Sequence, residues 1–178
     1  MKPIYDNKFM TEELYSRLML EIPWVNRDAP RDECFMADEL MDYTYGEKIA
    51  RTYTSVPICD MVSDIMKKLN EKYSCSYDIC FLNFYKSEKE HLGWHADDSP
   101  EMDQTHPIAS VSFGAEREIW VKEMGTKGTI PEEDRYKLEN GSAFIMPAGF
   151  QEKFLHRIPK CDRPCGGRVS LTFRKYKR

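Results

Sequence analysis

The segment Arg168-Val-Ser-Leu-Thr-Phe-Arg174 alternates polar and apolar residues. In an extended strand successive side chains point to opposite faces. Arg168, Ser170, Thr172 and Arg174 therefore share one face, and Val169, Leu171 and Phe173 share the other. The apolar trio belongs in a core. Two guanidiniums on the opposite face, once enclosed, require an anion, because an unpaired buried charge is very costly. No block of carboxylates elsewhere in the chain matches them. A small dianion does, since the guanidinium fork grips a carboxylate through two parallel N–H groups. Upstream, His95 and Asp97 stand at i and i+2, so an extended backbone presents both to one side, and His156 can join them from a distant strand. Two imidazoles and one carboxylate on a ferrous ion leave coordination positions open for chemistry. Each residue alone has an ordinary reading: a strand histidine hydrogen-bonded at a core rim, an aspartate capping a turn. Their occurrence together with the two-arginine strand points to iron-dependent chemistry on an anionic cosubstrate.

A second strand adds hydrogen-bonding groups. Over residues 79–86, alternation places Ile79, Phe81, Asn83 and Tyr85 on one face. An amide and a phenol together suit a carboxylate or keto acid. Asparagine is depleted in mid-strand and needs a partner there, which favours ligand contact over simple packing.

The elements that must position these groups follow from periodicity. Thr11-Glu12-Glu13 predicts a helix through about residue 21, with acids in the first turn. Ser55-Val56-Pro57 predicts a second helix to about residue 73, with Ile58, Met61, Val62, Ile65, Met66 and Leu69 on its core-facing stripe. Residues 22–54 read as irregular structure with short strands. From Ile79 onward the pattern gives strands at 79–86, 92–96, 107–113, 117–123, 142–147, 153–158 and 167–175, with 124–139 as a loop. Many short strands after two helices suggest a sandwich or barrel with helices on one outer face.

At this level the chain resembles the AlkB-like Fe(II)- and 2-oxoglutarate-dependent dioxygenases, which oxidatively remove alkyl groups from nucleic acid bases. The resemblance spans residues 30–178. It is carried by Tyr43-Thr-Tyr45, Leu82-Asn-Phe-Tyr85, Gly93-Trp-His-Ala-Asp-Asp98, Pro107-Ile-Ala-Ser-Val-Ser-Phe-Gly114, Asn140-Gly-Ser142, His156 and the final strand. It implies a mainly β fold with flanking helices: a double-stranded β-helix (jelly-roll) core with the N-terminal helices packed on one sheet. It also implies a single domain over 1–178, with helices and a nucleotide-recognition lid in 1–78 and the catalytic core in 79–178.

The same resemblance implies residue roles. His95, Asp97 and His156 would hold Fe(II). Arg168 would pair with the distal carboxylate of 2-oxoglutarate, helped by Tyr85 and Thr172, with Ser170 on the same face. Arg174, counted among the catalytic groups, would lie with Asn83 near the chelating carboxylate, and O2 would take the remaining position. Tyr43 and Tyr45 would stack on or border a flipped base. Many relatives place an acid two positions after the ligand aspartate, where it meets the base. Here that position is Ser99, with Asp98 or Glu101 as the substitutes at hand. The implied function is oxidative dealkylation of bases of the 1-methyladenine and 3-methylcytosine type, in DNA or RNA that is single-stranded or has a flipped base. Aldehyde, succinate and CO2 would be released. The alternative is a 2-oxoglutarate-dependent hydroxylase of a protein or small molecule.

Composition is compatible with either enzyme. At 178 residues and 41% hydrophobic content, the chain has the size and apolar share of one folded domain. No apolar run reaches membrane-spanning length and the N-terminus lacks an apolar signal segment. The expectation is therefore a soluble, monomeric protein of the cytoplasm, or of the nucleus in a eukaryote. The six cysteines, including Cys161 and Cys165 around Asp-Arg-Pro, read as reduced thiols. Net charge is −4, yet residues 151–178 carry 9 basic and 2 acidic side chains. That patch, ending in Arg174-Lys-Tyr-Lys-Arg178, suits phosphate contacts near one nucleotide.

Overall fold

Alternating strands fix the layers of this protein. The computed structural model describes residues 1–26, 31–45 and 51–178, with the side chains of Tyr43, Tyr45 and Arg51 outside the description. The first half contains β1 (Ile4–Asp6), α1 (Tyr15–Glu21), β2 (Val25–Asn26), β3 (Asp32–Ala37), β4 (Asp42–Tyr45), β5 (Arg51–Thr54), β6 (Val56–Pro57) and α2 (Asp60–Tyr73). The second contains β7 (Ile79–Tyr85), β8 (Leu92–His95), β9 (Ile108–Gly114), β10 (Arg117–Glu123), β11 (Arg135–Leu138), β12 (Ala143–Met146), α3 (Phe150–Lys153), β13 (Phe154–Ile158) and β14 (Arg168–Arg174).

Eight strands form one sheet in the order β1-β12-β9-β14-β7-β3-β2, with β6 beside β3. Four form a second sheet in the order β11-β10-β13-β8, and β4 pairs with β5. One face of the larger sheet carries Leu82, Val111, Phe113, Val169, Leu171 and Phe173, which pack against Leu18 of α1 and Val62, Ile65 and Leu69 of α2. On its other face Tyr85, Ile108, Phe144 and Met146 meet Ile119, Val121, Leu138 and Ile158 of the smaller sheet. Two facing, mainly antiparallel sheets with helices outside one of them make a double-stranded β-helix, a jelly roll. Phe173 is fully buried in the helix-side layer. Phe173→Ala should therefore cost about 3–5 kcal/mol of stability. Chemical denaturation measures this, and a loss within about 0.5 kcal/mol would contradict the layering.

Three boundaries differ from the sequence expectation. α1 begins at Tyr15, not Thr11, and has no acid in its first turn. Residues 9–14 are held elsewhere: the Met10 N–H donates to the Gly141 carbonyl (2.9 Å), Glu13 accepts from the Asn140 amide (3.2 Å), and Phe9 and Leu14 are buried. α2 begins at Asp60, because Val56 and Pro57 run parallel to Met36 and Ala37 of β3. The expected loop over 124–139 contains a 3-10 turn at Glu132–Asp134 and strand β11, which pairs with β10. The alternation Arg135-Tyr-Lys-Leu138 is present there, but flanking charges and glycines hide it.

The C-terminal tail folds back on the chain. Arg178 pairs with Asp38 (2.7 Å), Glu39 (2.5 Å) and Asp78 (3.4 Å), and Lys175 with Asp78 (3.0 Å). The expectation that this tail is poised for phosphates is corrected for Arg178, whose guanidinium is neutralised within the chain. All six cysteines are free thiols, and Cys161 and Cys165 hold their sulfurs 3.0 Å apart.

Candidate active site

β8 and β13 are neighbours in the smaller sheet, and their register sets His95 directly opposite His156. The two rings lie 4.2 Å apart between centroids. Asp97, two residues beyond His95, swings into the same space. Its Oδ2 is 3.4 Å from His156 Nε2 and its Oδ1 is 3.8 Å from His95 Nε2. Among the described residues these three form a cluster able to hold a metal ion, with ligand atoms all within 4.8 Å of one another.

The hydrogen-bond pattern tests whether they fit a cation. His95 Nδ1 lies 2.7 Å from the Gly93 carbonyl, which can only accept, so Nδ1 carries the proton. His95 Nε2 then turns a lone pair toward a carboxylate oxygen. Two acceptors facing each other at this range are unfavourable unless a cation lies between them. Burial, reinforced by His156 and partly offset by Asp97, pushes the His95 imidazole down to about 4. It is the neutral, ligating form at physiological pH. Burial alone would raise the Asp97 carboxyl, but Arg174 and the two histidines hold it well below the usual carboxylate range. Arg174 Nη2 donates to Asp97 Oδ1 at 2.6 Å. The Asp97 backbone N–H donates to buried Gln151 (2.9 Å), and Gln104 donates to the carbonyls of Asp97 and Ser99. Neither glutamine was evident from sequence, because both act on backbone atoms, Gln151 from the short α3 and Gln104 from a loop. The residues present fit a divalent metal with two imidazoles and one carboxylate.

The anion pocket lies along β14. Arg168, Ser170, Thr172 and Arg174 line one cavity, together with Asn83, Tyr85, Ser110 and the metal cluster. Leu92, Ile119, Met146 and Ile158 supply apolar walls. Arg168 is fully buried, with Nη2 donating to Ser112 Oγ (2.9 Å) and its carbon centre 5.2 Å from the Tyr85 ring. Its Nε and Nη1 are buried without hydrogen-bond partners. Burial pushes the guanidinium down to about 10, so it remains charged at neutral pH. A buried cation with two unsatisfied donors calls for an anionic ligand. The carboxylate of a keto acid fits.

Other expected site residues fall less simply. The register sets Asn83 opposite Ser170, Tyr85 opposite Arg168 and Ile79 opposite Arg174. Asn83 therefore stands toward the Arg168 end of the wall, not with Arg174 as the sequence reading had it. Thr172 stands level with Phe81 and Ser110, between the two arginines. Asp98 is exposed and does not line the cavity. Ser99 is buried and donates to Glu101 at 2.5 Å, also away from the lining. The backbones of Tyr43 and Tyr45 belong to β4, opposite Tyr53 and Arg51, but their side chains lie outside the described residues. Phe81 lines the cavity on the face it shares with Asn83 and Tyr85, while Tyr53, Arg31 and Glu33 line it unforeseen.

Residues 8–174 match the family model of the 2OG-Fe(II) oxygenase superfamily. The chain is 28% identical over 172 residues to the rat protein named alpha-ketoglutarate-dependent dioxygenase alkB homolog 3, covering 90% of this chain and 58% of that one. It is 31% identical over 150 residues to mouse DNA oxidative demethylase ALKBH2, covering 82% and 62%. It thus spans about 60% of the length of these curated relatives. The solved structure of OsALKBH1 superposes with a TM-score of 0.66 at 18% identity, covering 98% of this chain and 97% of that one, a likeness of fold.

Proposed function

The chain belongs to the 2OG-Fe(II) oxygenase superfamily, and on that premise we propose that it is an Fe(II)- and 2-oxoglutarate-dependent dioxygenase that dealkylates nucleic acid bases. In this reading His95, Asp97 and His156 hold the iron. Arg168, with Tyr85 and Asn83, binds the distal carboxylate of 2-oxoglutarate, while Ser170 and Thr172 line its path. Arg174 orients the Asp97 carboxylate and adds positive charge beside the chelating end. The bound iron and cosubstrate supply the oxidising chemistry with O2; the chain supplies orientation, an open coordination side and exclusion of water. The observation that carries the reading is Arg168, a buried guanidinium with two unpartnered nitrogens, facing the same cavity as the metal cluster.

The nucleic acid part rests on the two named relatives and on a cationic surface. On the outer face of the smaller sheet, Lys122 lies over Trp94 (4.5 Å) and Arg135 over Trp120 (4.6 Å). Arg157 lies between the two indoles, at 5.1 and 4.5 Å. Among the described residues none of the three cations pairs with a carboxylate. Stacked cations held apart by indoles suit a phosphate backbone. Arg157→Gln should flatten the dependence of log affinity on log salt by about 0.7 for an unmodified single strand. Fluorescence anisotropy at several salt concentrations reads this, and an identical slope removes the surface from the account.

The substrate is taken as a single strand or a flipped nucleotide, since a base must leave its stack to reach an enclosed metal. The protein is taken to act as a monomer in the cytoplasm or nucleus. No helix among the described residues is long and apolar enough to cross a membrane. The testing experiment incubates the iron-loaded protein with 2-oxoglutarate and short DNA and RNA strands carrying 1-methyladenine or 3-methylcytosine. Loss of the methyl group by mass spectrometry, matched by succinate, is expected. Succinate formation without change in any strand would favour a protein or small-molecule substrate.

A further inference from the structure

An arginine stands where the smaller sheet should present an apolar core residue. Along β10, Arg117, Ile119 and Val121 alternate inward and are buried, while Glu118, Trp120 and Lys122 take the outer face. Ile119 lines the cavity; Arg117, 2% exposed, stands behind the lining. Its Nη2 donates to the carbonyls of Glu90 (2.7 Å) and Pro159 (2.6 Å) and its Nη1 to that of Ser87 (3.4 Å), while its Nε is buried without a partner. Carbonyls satisfy donors without neutralising the charge. Among the described residues no carboxylate pairs with this guanidinium. A buried cation in such a place is costly unless an anion compensates it.

The ring of Tyr85 links Arg117 to the cavity. The Arg117 guanidinium carbon lies over that ring at 5.4 Å, and the Arg168 carbon lies over it at 5.2 Å. Tyr85 stands opposite Arg168 in the register of β7 with β14, is 1% exposed and lines the cavity. Two buried guanidiniums therefore share one phenol, whose electron-rich ring attracts both. Repulsion between them persists: burial is the main force lowering Arg168, Tyr85 opposes it, and the Arg117 charge lowers it further. An anion held at Arg168 inside the cavity offsets both charges at once. The three carbonyls also tie together the segments that follow β7 and β13. A merely structural tie is thus the competing role that an experiment must separate.

We propose that Arg117 is a positioning residue for the cosubstrate: from behind Tyr85 it holds the phenol beside Arg168 and supplies a second positive charge, so that the pocket demands a 2-keto acid ending in a second carboxylate. This rests on the dioxygenase reading above. The keto-acid end, toward the metal, is common to all 2-keto acids, and the distal group is where they differ. Two guanidiniums favour a distal carboxylate and disfavour an apolar end, which would leave both charges enclosed without an anion. At the effective dielectric of a protein site, one further charge within roughly 10 Å changes anion affinity by about tenfold.

The test compares 2-oxoglutarate with 2-oxopentanoate, which carries a methyl group in place of the distal carboxylate. Dissociation constants are measured by calorimetry on Mn(II)-loaded protein. The native protein should favour 2-oxoglutarate by about a hundredfold or more. Arg117→Gln removes the charge and keeps an amide donor for the carbonyls. It should weaken 2-oxoglutarate by about tenfold and leave 2-oxopentanoate within about threefold of native. Arg117→Met serves the same comparison if the glutamine variant does not fold. Arg117→Lys keeps the charge but cannot reach three carbonyls at once, so it should lose thermal stability yet hold the preference to within about threefold. Equal weakening of both keto acids in an uncharged variant, or no weakening of either, reduces Arg117 to a tie between loops and overturns the assignment. A lysine variant that loses the preference as far as the glutamine variant does overturns it too. Metal-loaded native protein that binds neither keto acid overturns the cosubstrate reading itself, and this inference with it.

Discussion

Asp97→Ala should reduce turnover by roughly a thousandfold or more, because it removes the one anionic ligand of the metal cluster. Asp97 holds that place through several ties. Arg174 anchors one oxygen at 2.6 Å and Gln151 fixes the backbone N–H at 2.9 Å. The carboxylate stays ionised because Arg174 and the two histidines outweigh the effect of burial. Metal uptake separates a lost ligand from a damaged fold. The variant should show native circular dichroism and no stoichiometric binding of Mn(II). A variant that retains metal and rate would remove the cluster from catalysis.

Arg168→Ala should raise the 2-oxoglutarate concentration needed for half-maximal rate by about a hundredfold, the worth of two charge-assisted hydrogen bonds. Arg168→Lys keeps the charge and loses the fork, so a loss of about tenfold is expected. Because burial pushes the guanidinium down to about 10, the protonated, anion-binding form predominates at neutral pH. Cosubstrate affinity should accordingly weaken as pH rises past about 10. Steady-state kinetics with varied 2-oxoglutarate checks the substitutions, and an unchanged requirement in Arg168→Ala would move the anion site elsewhere.

The two halves of the site differ in how far the sequence discloses them. The β14 residues are legible because alternation within one strand is a local property: Val169, Leu171 and Phe173 are fully buried on the helix side, and Arg168, Ser170, Thr172 and Arg174 line the cavity. His95 and Asp97 are legible from their i, i+2 spacing, although Asp97 stands just beyond the end of β8. Glu33 and Tyr53 are not. All six residues of β3 are buried, so burial gives no alternation to read there. Glu33 gains its meaning only from a register with Asn83, fifty positions away in the chain. Tyr53 reaches the site from β5 through its packing on Phe81. Arg178 shows the converse: a local run of cations suggests phosphate binding, while the fold brings Asp38, Glu39 and Asp78 to it. Charge runs report composition, and long-range pairing decides which charges remain available.

The account depends on the metal cluster and Arg168 serving a single ligand. Calorimetric titration of 2-oxoglutarate, with and without Mn(II) as an oxygen-inert stand-in for iron, measures that linkage directly. One 2-oxoglutarate per chain should bind the metal-loaded native protein, at least tenfold more tightly than the metal-free form. The tight phase should vanish in both Asp97→Ala and Arg168→Ala. Binding of equal strength with and without metal, or unaffected by either substitution, would mean that the two halves of the cavity do not work as one site.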